Sequence, residues 1–157
     1  MDDACLDALK ALEIAPQHSV EHAVAPTVDD GLNATNGHID KAIFVKNLFL
    51  RCKKNGLFLI SCAHDAKVDM KALPSLLNIS GANLRMADAA LLQEKLAVPQ
   101  GSVSPLAVMN DKAGEVTLVL DKKLVEAPLV AVHPLRNDRT ITLAPDALLQ
   151  FVRHHAH

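Results

Sequence analysis

Four short groups of residues have side chains or backbone suited to binding or activating a ligand, and Lys46-Asn47 is the most informative. Lys46 interrupts the apolar run of residues 42–50, which is rich in aromatic and branched residues and predicts a strand buried on both faces. A buried ammonium without a partner costs several kcal/mol, so such a lysine usually meets water, a carboxylate or an anionic ligand. Two interpretations stay open: an anion-binding lysine, or a lysine that reaches solvent or pairs with an acid.

The second group is the loop Gly101-Ser102-Val103-Ser104-Pro105. Glycine lets the backbone approach a ligand closely and proline stiffens the exit, so successive N–H groups could face a carbonyl oxygen. The alternative is an ordinary loop between a helix and a strand. We predict that strand over residues 104–109.

The other two groups centre on His133 and Arg85. His133 directly follows the apolar run of residues 129–132, and a histidine at a strand end can donate to a substrate or exchange a proton. It can equally do no more than hydrogen-bond the local backbone. Arg85, between two predicted helices, is a candidate for phosphate or base-edge contact, although most lone arginines are solvated. The sequence has no GxSxG, Walker or GxGxxG motif, no legible Ser-His-Asp order and no metal-ligand spacing.

Composition narrows the class of protein. The 157 residues suit one domain, and because there is no Trp or Tyr and only four Phe, the core must consist of Leu, Val, Ile and Ala. A net charge of −2 argues against non-specific binding to a polyanion, so any nucleic acid must be held by a few placed cations. The three cysteines lack CxxC spacing and are expected to be reduced thiols. With no signal peptide and no bilayer-length apolar run, we expect a cytoplasmic protein.

Periodicity and capping signals predict an α+β fold: a single compact domain with a mixed, mostly antiparallel sheet and short helices packed around it. The predicted helices cover residues 3–12, 69–77, 88–96 and 146–152. The predicted strands cover residues 20–24, 42–50, 57–62, 104–109, 115–120, 129–132 and 140–143.

Taken in order, seven segments resemble the YbaK/ProX family of prolyl-tRNA synthetase-associated editing domains, which remove wrong amino acids from tRNA. The segments are Val20-Glu21-His22 with Thr27-Val28, Lys46 to Arg51, Asp69 to Leu73, Leu84 to Ala87, Gly101 to Pro105, Val116 to Asp121, and His133 to Asn137. The resemblance runs from about Val20 to Phe151. We therefore expect an N-terminal helical segment at 1–19, without a clear match, and an editing domain at 20–157.

The motifs KNLFLR and HPLxN look most like the ProX branch, which hydrolyses alanyl-tRNA(Pro). The resemblance implies catalytic roles for Lys46, Gly101 and His133, with Lys46 gripping the backbone or terminal adenosine of the acceptor end and no metal or cofactor. It implies that the loop cradles the aminoacyl carbonyl and that Arg85 reaches the acceptor stem. The full substrate-binding set is Thr27, Asn47, Arg85, Ser102, Val103, Ser104, Pro105 and Asn137.

Two positions depart from the family pattern: Leu106 stands where an aromatic residue often follows the proline, and Asp138 where a hydroxyl residue often follows the asparagine. Leu106 could reshape the amino-acid pocket. The alternatives left open are a deacylase of cysteinyl- or seryl/threonyl-tRNA, a non-catalytic tRNA-binding appendage of prolyl-tRNA synthetase, and a plain α+β ligand-binding domain. The expected partners are tRNA and, in cis or in trans, the synthetase.

Overall fold

The structure, a computed structural model, describes residues 4–16, 18–21, 42–52, 56–63, 84–99, 102–112, 114–135 and 139–155. The strands of this part are β1 (His18–Glu21), β2 (Ala42–Cys52), β3 (Gly56–Ala63), β4 (Arg85–Met86), β5 (Val116–Leu120), β6 (Leu129–Val132) and β7 (Arg139–Leu143). Its α-helices are α1 (Ala4–Ala11), α2 (Ala89–Leu96), α3 (Lys122–Glu126) and α4 (Pro145–His154), and a 3₁₀ helix covers Pro105–Asn110.

The described strands form a single mixed sheet in the order β1-β7-β6-β2-β3-β5, with β4 pairing additionally with β2. Four of the pairings are antiparallel, namely β1–β7, β6–β7, β2–β3 and β2–β4. Two are parallel, β2–β6 and β3–β5. The predicted α+β fold with a mixed, mostly antiparallel sheet is therefore confirmed.

Strand β2 lies at the centre of the sheet and is buried on both faces, as its apolar run predicts. Val45 and Phe49 belong to the main hydrophobic core. Leu50 and Cys52 belong to a second, smaller cluster on the other face. Because side chains alternate along a strand, odd-numbered positions of β2 face the main core and even-numbered positions face the smaller cluster.

The helices that the structure describes add to the main core. Helix α1 contributes Cys5 and Leu9, α2 contributes Leu92 and Leu96, and α4 contributes Leu148, Phe151 and Val152.

Helix α2 begins where its sequence predicts, because the Asp88 carboxylate accepts a hydrogen bond from Leu91 N at 2.8 Å. Helix α4 has Pro145 in its first turn, where a missing N–H costs nothing. The proposed division of the chain at residue 19 stays a prediction.

The predicted strand over residues 104–109 is wrong, because this segment forms the 3₁₀ helix Pro105–Asn110. Ser104 caps it, with Oγ accepting from Leu106 N at 2.9 Å, and Pro105 suits a first helical position. Leu106, Ala107 and Val108 are all fully buried. A short apolar run of this kind does not distinguish a buried strand from a buried helical turn.

Other differences are smaller. The structure adds α3, which the sequence interpretation missed, and β1 begins two residues before its predicted start. The predicted helix at residues 69–77 and residues 53–55, between β2 and β3, lie outside the described residues. Within the part of the chain that is described, no helix is both long and apolar enough to cross a bilayer.

Candidate active site

One edge of β2 is interrupted in the middle of the strand. Strand β6 pairs with it at Ala42, Ile43 and Phe44, and β4 pairs with it at Leu50 and Arg51. Both lie on the edge opposite β3, because β3 pairs along β2 from Val45 to Cys52. No described strand pairs with this edge between the two contacts, in the stretch that contains Lys46 and Asn47.

The loop of residues 102–104 meets β2 at this gap through the Asn47 side chain. Asn47 Nδ2 donates to the Val103 carbonyl oxygen at 2.9 Å. On its other side, Asn47 Oδ1 accepts from the Ser61 hydroxyl at 2.6 Å. Both ends of the amide are thus engaged within the fold, and Asn47 anchors the loop to the sheet. Its predicted contact with substrate stays a prediction.

Lys46 lies on the opposite face of β2 from Asn47, on the side of the smaller cluster. Its antiparallel partner is Cys62 on β3, and the Cys62 thiol lies 3.8 Å from the Lys46 carbonyl oxygen. Burial raises the pKa of the Cys62 thiol. The Lys46 ammonium lowers this pKa in part, and the Asp121 carboxylate raises it further. The lysine is half-buried, so its charge lies in a medium that screens it less than bulk water does.

His133 follows β6 directly, and its ring is oriented by the backbone. Its Nδ1 lies 2.9 Å from the Arg139 carbonyl oxygen. Since a carbonyl oxygen only accepts, Nδ1 carries a proton, and Nε2 is the ring atom that can gain or lose one. The parallel register pairs Phe44 with Ala131; carried two residues further, it would set His133 beside Lys46 on the same face of the sheet.

The loop itself is largely buried. Ser102 and Ser104 are 3% and 0% exposed, and Pro105 is also buried. The N–H of Ser102 donates to the Pro99 carbonyl oxygen at 3.2 Å. The next two N–H groups, of Val103 and Ser104, donate to no acceptor among the described residues. Val103 is partly exposed and Ser104 is not, so the Val103 N–H is the one that can reach an oxyanion.

Arg85 is exposed on β4, directly opposite Arg51 of β2. Arg51 is five residues along β2 from Lys46, which corresponds to roughly 16 Å. Arg85 therefore lies on a part of the surface that is well separated from Lys46. The predicted site residues Thr27, Gly101 and Asn137, and also Asp138, lie outside the described residues. Leu106 is fully buried in the main core.

Ser61 is the described member of this arrangement that sequence reasoning missed. It is 0% exposed, pairs with Asn47 across β2 and β3, and accepts from Asp121 N at 2.9 Å through its carbonyl oxygen. A polar residue in the apolar run of β3 was the only local signal. It gave no indication of a partner 14 residues away.

Comparison with known proteins places this geometry in a family. Residues 22–151 match the model of the aminoacyl-tRNA editing domain. The chain is 38% identical over 152 residues to a Xenopus laevis prolyl-tRNA synthetase associated domain-containing protein 1, covering 95% of this chain and 88% of that one. It is 36% identical over 135 residues to the prolyl-tRNA editing protein ProX of Acetoanaerobium sticklandii, covering 85% and 80%.

Two solved structures share the fold at 18% identity. One, of a hypothetical protein, has a TM-score of 0.75 and covers 97% of this chain and 95% of that chain. The other is described as a proposed trans-editing enzyme for prolyl-tRNA synthetase, has a TM-score of 0.69 and covers 95% and 87%. The extent of the domain match and the identity to both curated relatives show that this chain belongs to the aminoacyl-tRNA editing domain family.

Proposed function

We propose that this protein hydrolyses the aminoacyl ester of mischarged tRNA(Pro), with alanyl-tRNA(Pro) as the preferred substrate. Family membership supports editing of aminoacyl-tRNA, and the relative named as a prolyl-tRNA editing protein supports the proline system. The preference for alanine is supported by the KNLFLR and HPLxN motifs, which resemble the ProX branch.

One observation carries the proposal: the side chain of Asn47, which follows Lys46 in the chain, holds the 102–104 loop against β2. The loop supplies an N–H group, and the lysine supplies a positive charge from the other face of the same strand. An ester with a nearby phosphodiester needs both features. A module that only docks on the synthetase needs neither.

The reaction requires little from side chains because an aminoacyl ester is already activated. A water oxygen attacks the ester carbonyl carbon, and the N–H group of Val103 stabilises the oxyanion that forms. His133 Nε2 can take the proton that the water loses. The bond between the carbonyl carbon and the ribose oxygen then breaks, the ribose oxygen regains a proton, and a free amino acid leaves the intact tRNA.

Binding of the substrate rests on placed cations, since the chain has a net charge of −2. Lys46 holds the acceptor end near the ester, and Arg85 contacts the acceptor stem from its more distant position. The resemblance also assigns Thr27 and Asn137 to substrate binding. Lys46 lies on one face of β2 and the loop anchor Asn47 on the other, so the ester would sit at the gap in the β2 edge, where both faces can be reached.

Selectivity depends on size more than on attraction. One methylene group is worth about 1–3 kcal/mol in an apolar pocket, which cannot by itself separate alanine from its neighbours in size. A small pocket can nevertheless exclude the larger proline, so the cognate prolyl-tRNA(Pro) would survive. Such a protein would work in the cytoplasm beside prolyl-tRNA synthetase, in cis or in trans.

The proposal is tested by measuring the release of free amino acid from alanyl-, cysteinyl-, seryl- and prolyl-tRNA(Pro). We expect rapid release of alanine and no release of proline above the spontaneous rate. Faster release of cysteine or serine would overturn the alanine assignment. Absence of release from all four substrates would overturn the deacylase proposal.

A further inference from the structure

We propose that Ser61 is a positioning residue for the reaction and acts through Asn47 on the peptide unit that joins Val103 to Ser104. This inference deepens the proposed function and rests on it. It concerns a buried hydroxyl that does not reach the substrate but fixes the peptide unit that follows Val103, the residue whose N–H is the proposed oxyanion donor.

The hydrogen bonds have one consistent direction. The Val103 carbonyl oxygen can only accept, so the Asn47 atom 2.9 Å from it must be the amide nitrogen. The amide oxygen of Asn47 therefore faces Ser61, whose hydroxyl donates to it at 2.6 Å. A flipped amide would set two carbonyl oxygens against each other, so the Ser61 donor and the Val103 acceptor favour the same orientation of Asn47.

Ser61 is itself held firmly. It lies in the middle of β3, paired with Asn47 of β2 on one side and with Leu120 of β5 on the other. Its carbonyl oxygen accepts from Asp121 N at 2.9 Å, and its side chain is 0% exposed. A hydroxyl fixed between two strands is a rigid reference point for the Asn47 amide. On the other edge of β2, no described strand pairs with Asn47.

The effect reaches the loop through the planarity of the peptide bond. The Val103 carbonyl and the Ser104 N–H belong to one planar trans unit and point in opposite directions. Fixing the carbonyl oxygen on Asn47 therefore fixes the direction of the Ser104 N–H and the plane of this peptide unit, which limits rotation of Val103, whose own N–H is the proposed oxyanion donor. Without the Ser61 hydrogen bond, the amide and this peptide unit can rotate.

The test is a mutant cycle of Ser61→Ala, Asn47→Ala and the double variant, assayed with alanyl-tRNA(Pro). Loss of one hydrogen bond corresponds to about a tenfold fall, which we expect in kcat, with KM within about twofold of wild type. We expect the double variant to be no slower than Asn47→Ala, because Ser61 acts only through Asn47. Effects that multiply would overturn the proposal.

Ile141→Val is the matched control, since Ile141 is equally buried, belongs to β7 and is not part of this hydrogen-bonded chain. We expect it to lower the melting temperature but to leave kcat unchanged. If Ser61→Ala has the same kcat as Ile141→Val, Ser61 has no positioning role.

Amide NMR of the free protein separates this inference from the proposed function. We expect the Ser104 amide resonance to shift in Ser61→Ala and to stay in place in Ile141→Val. That result would support the positioning role even if no aminoacyl-tRNA were hydrolysed, in which case only the proposed function would fail. An unmoved Ser104 resonance would overturn the positioning role even in an active enzyme.

Discussion

Lys46 and Asn47 are adjacent in the chain, yet their side chains serve opposite faces of strand β2. Asn47 faces the main core, where it bonds Ser61 and the Val103 carbonyl. Lys46 faces the smaller cluster, opposite Cys62. The dipeptide therefore divides two tasks, because one residue fixes the loop and the other presents a charge. No described strand pairs with this stretch of the β2 edge, so a ligand placed there would be within reach of both faces.

Replacement of His133 by asparagine tests whether its imidazole does more than bond the backbone. An asparagine side chain can keep the donor to the Arg139 carbonyl oxygen but supplies nothing at the position of Nε2. We expect kcat on alanyl-tRNA(Pro) to fall about 100-fold or more, as for loss of a general base, with an unchanged melting temperature. Wild-type kcat in His133→Asn would assign the histidine a structural role only.

Two helix caps provide a matched pair of variants. Ser104 caps the 3₁₀ helix at the loop, and Asp88 caps α2 at the surface. Each change to alanine should cost about 1 kcal/mol, or about 2–4 °C in melting temperature, because a capping hydrogen bond is lost. Only Ser104→Ala should also slow deacylation, since the cap fixes the loop end. Equal kcat in the two variants would contradict a role for loop geometry in the reaction.

The stability of the protein should fall in alkali because of Cys5. Burial raises the pKa of this thiol from 9.0 to about 12. Between these values the unfolded chain loses the proton first, so the stabilisation is complete below pH 9 and declines as the pH rises towards 12, by about 1.4 kcal/mol per unit.

Urea unfolding at several alkaline pH values measures this decline. Cys5→Ala should lower stability at neutral pH, because it leaves a small cavity, yet show a shallower loss above pH 9. The Cys62 thiol, whose pKa is also raised, titrates in both proteins and cancels from the comparison. The same slope in both proteins would show that Cys5 is not the source.

The sequence predicts the central strand well because its signal is local. The apolar run around Lys46 indicates burial on both faces, and Asp88 marks the start of α2. The signal fails for short elements such as α3, whose five residues are fewer than periodicity needs, although Asp121 is a recognisable cap. The contact of Asn47 with Val103 spans 56 residues, so no local pattern could reveal it.

Single-turnover hydrolysis of alanyl-tRNA(Pro) by Lys46→Ala, compared with wild type and Lys122→Ala, is the most direct test of the account. Lys122 is a suitable control because its side chain is 85% exposed, on α3. We predict that Lys46→Ala loses alanine release while keeping the wild-type circular dichroism spectrum, and that Lys122→Ala remains active. Full activity of a folded Lys46→Ala variant would contradict the account.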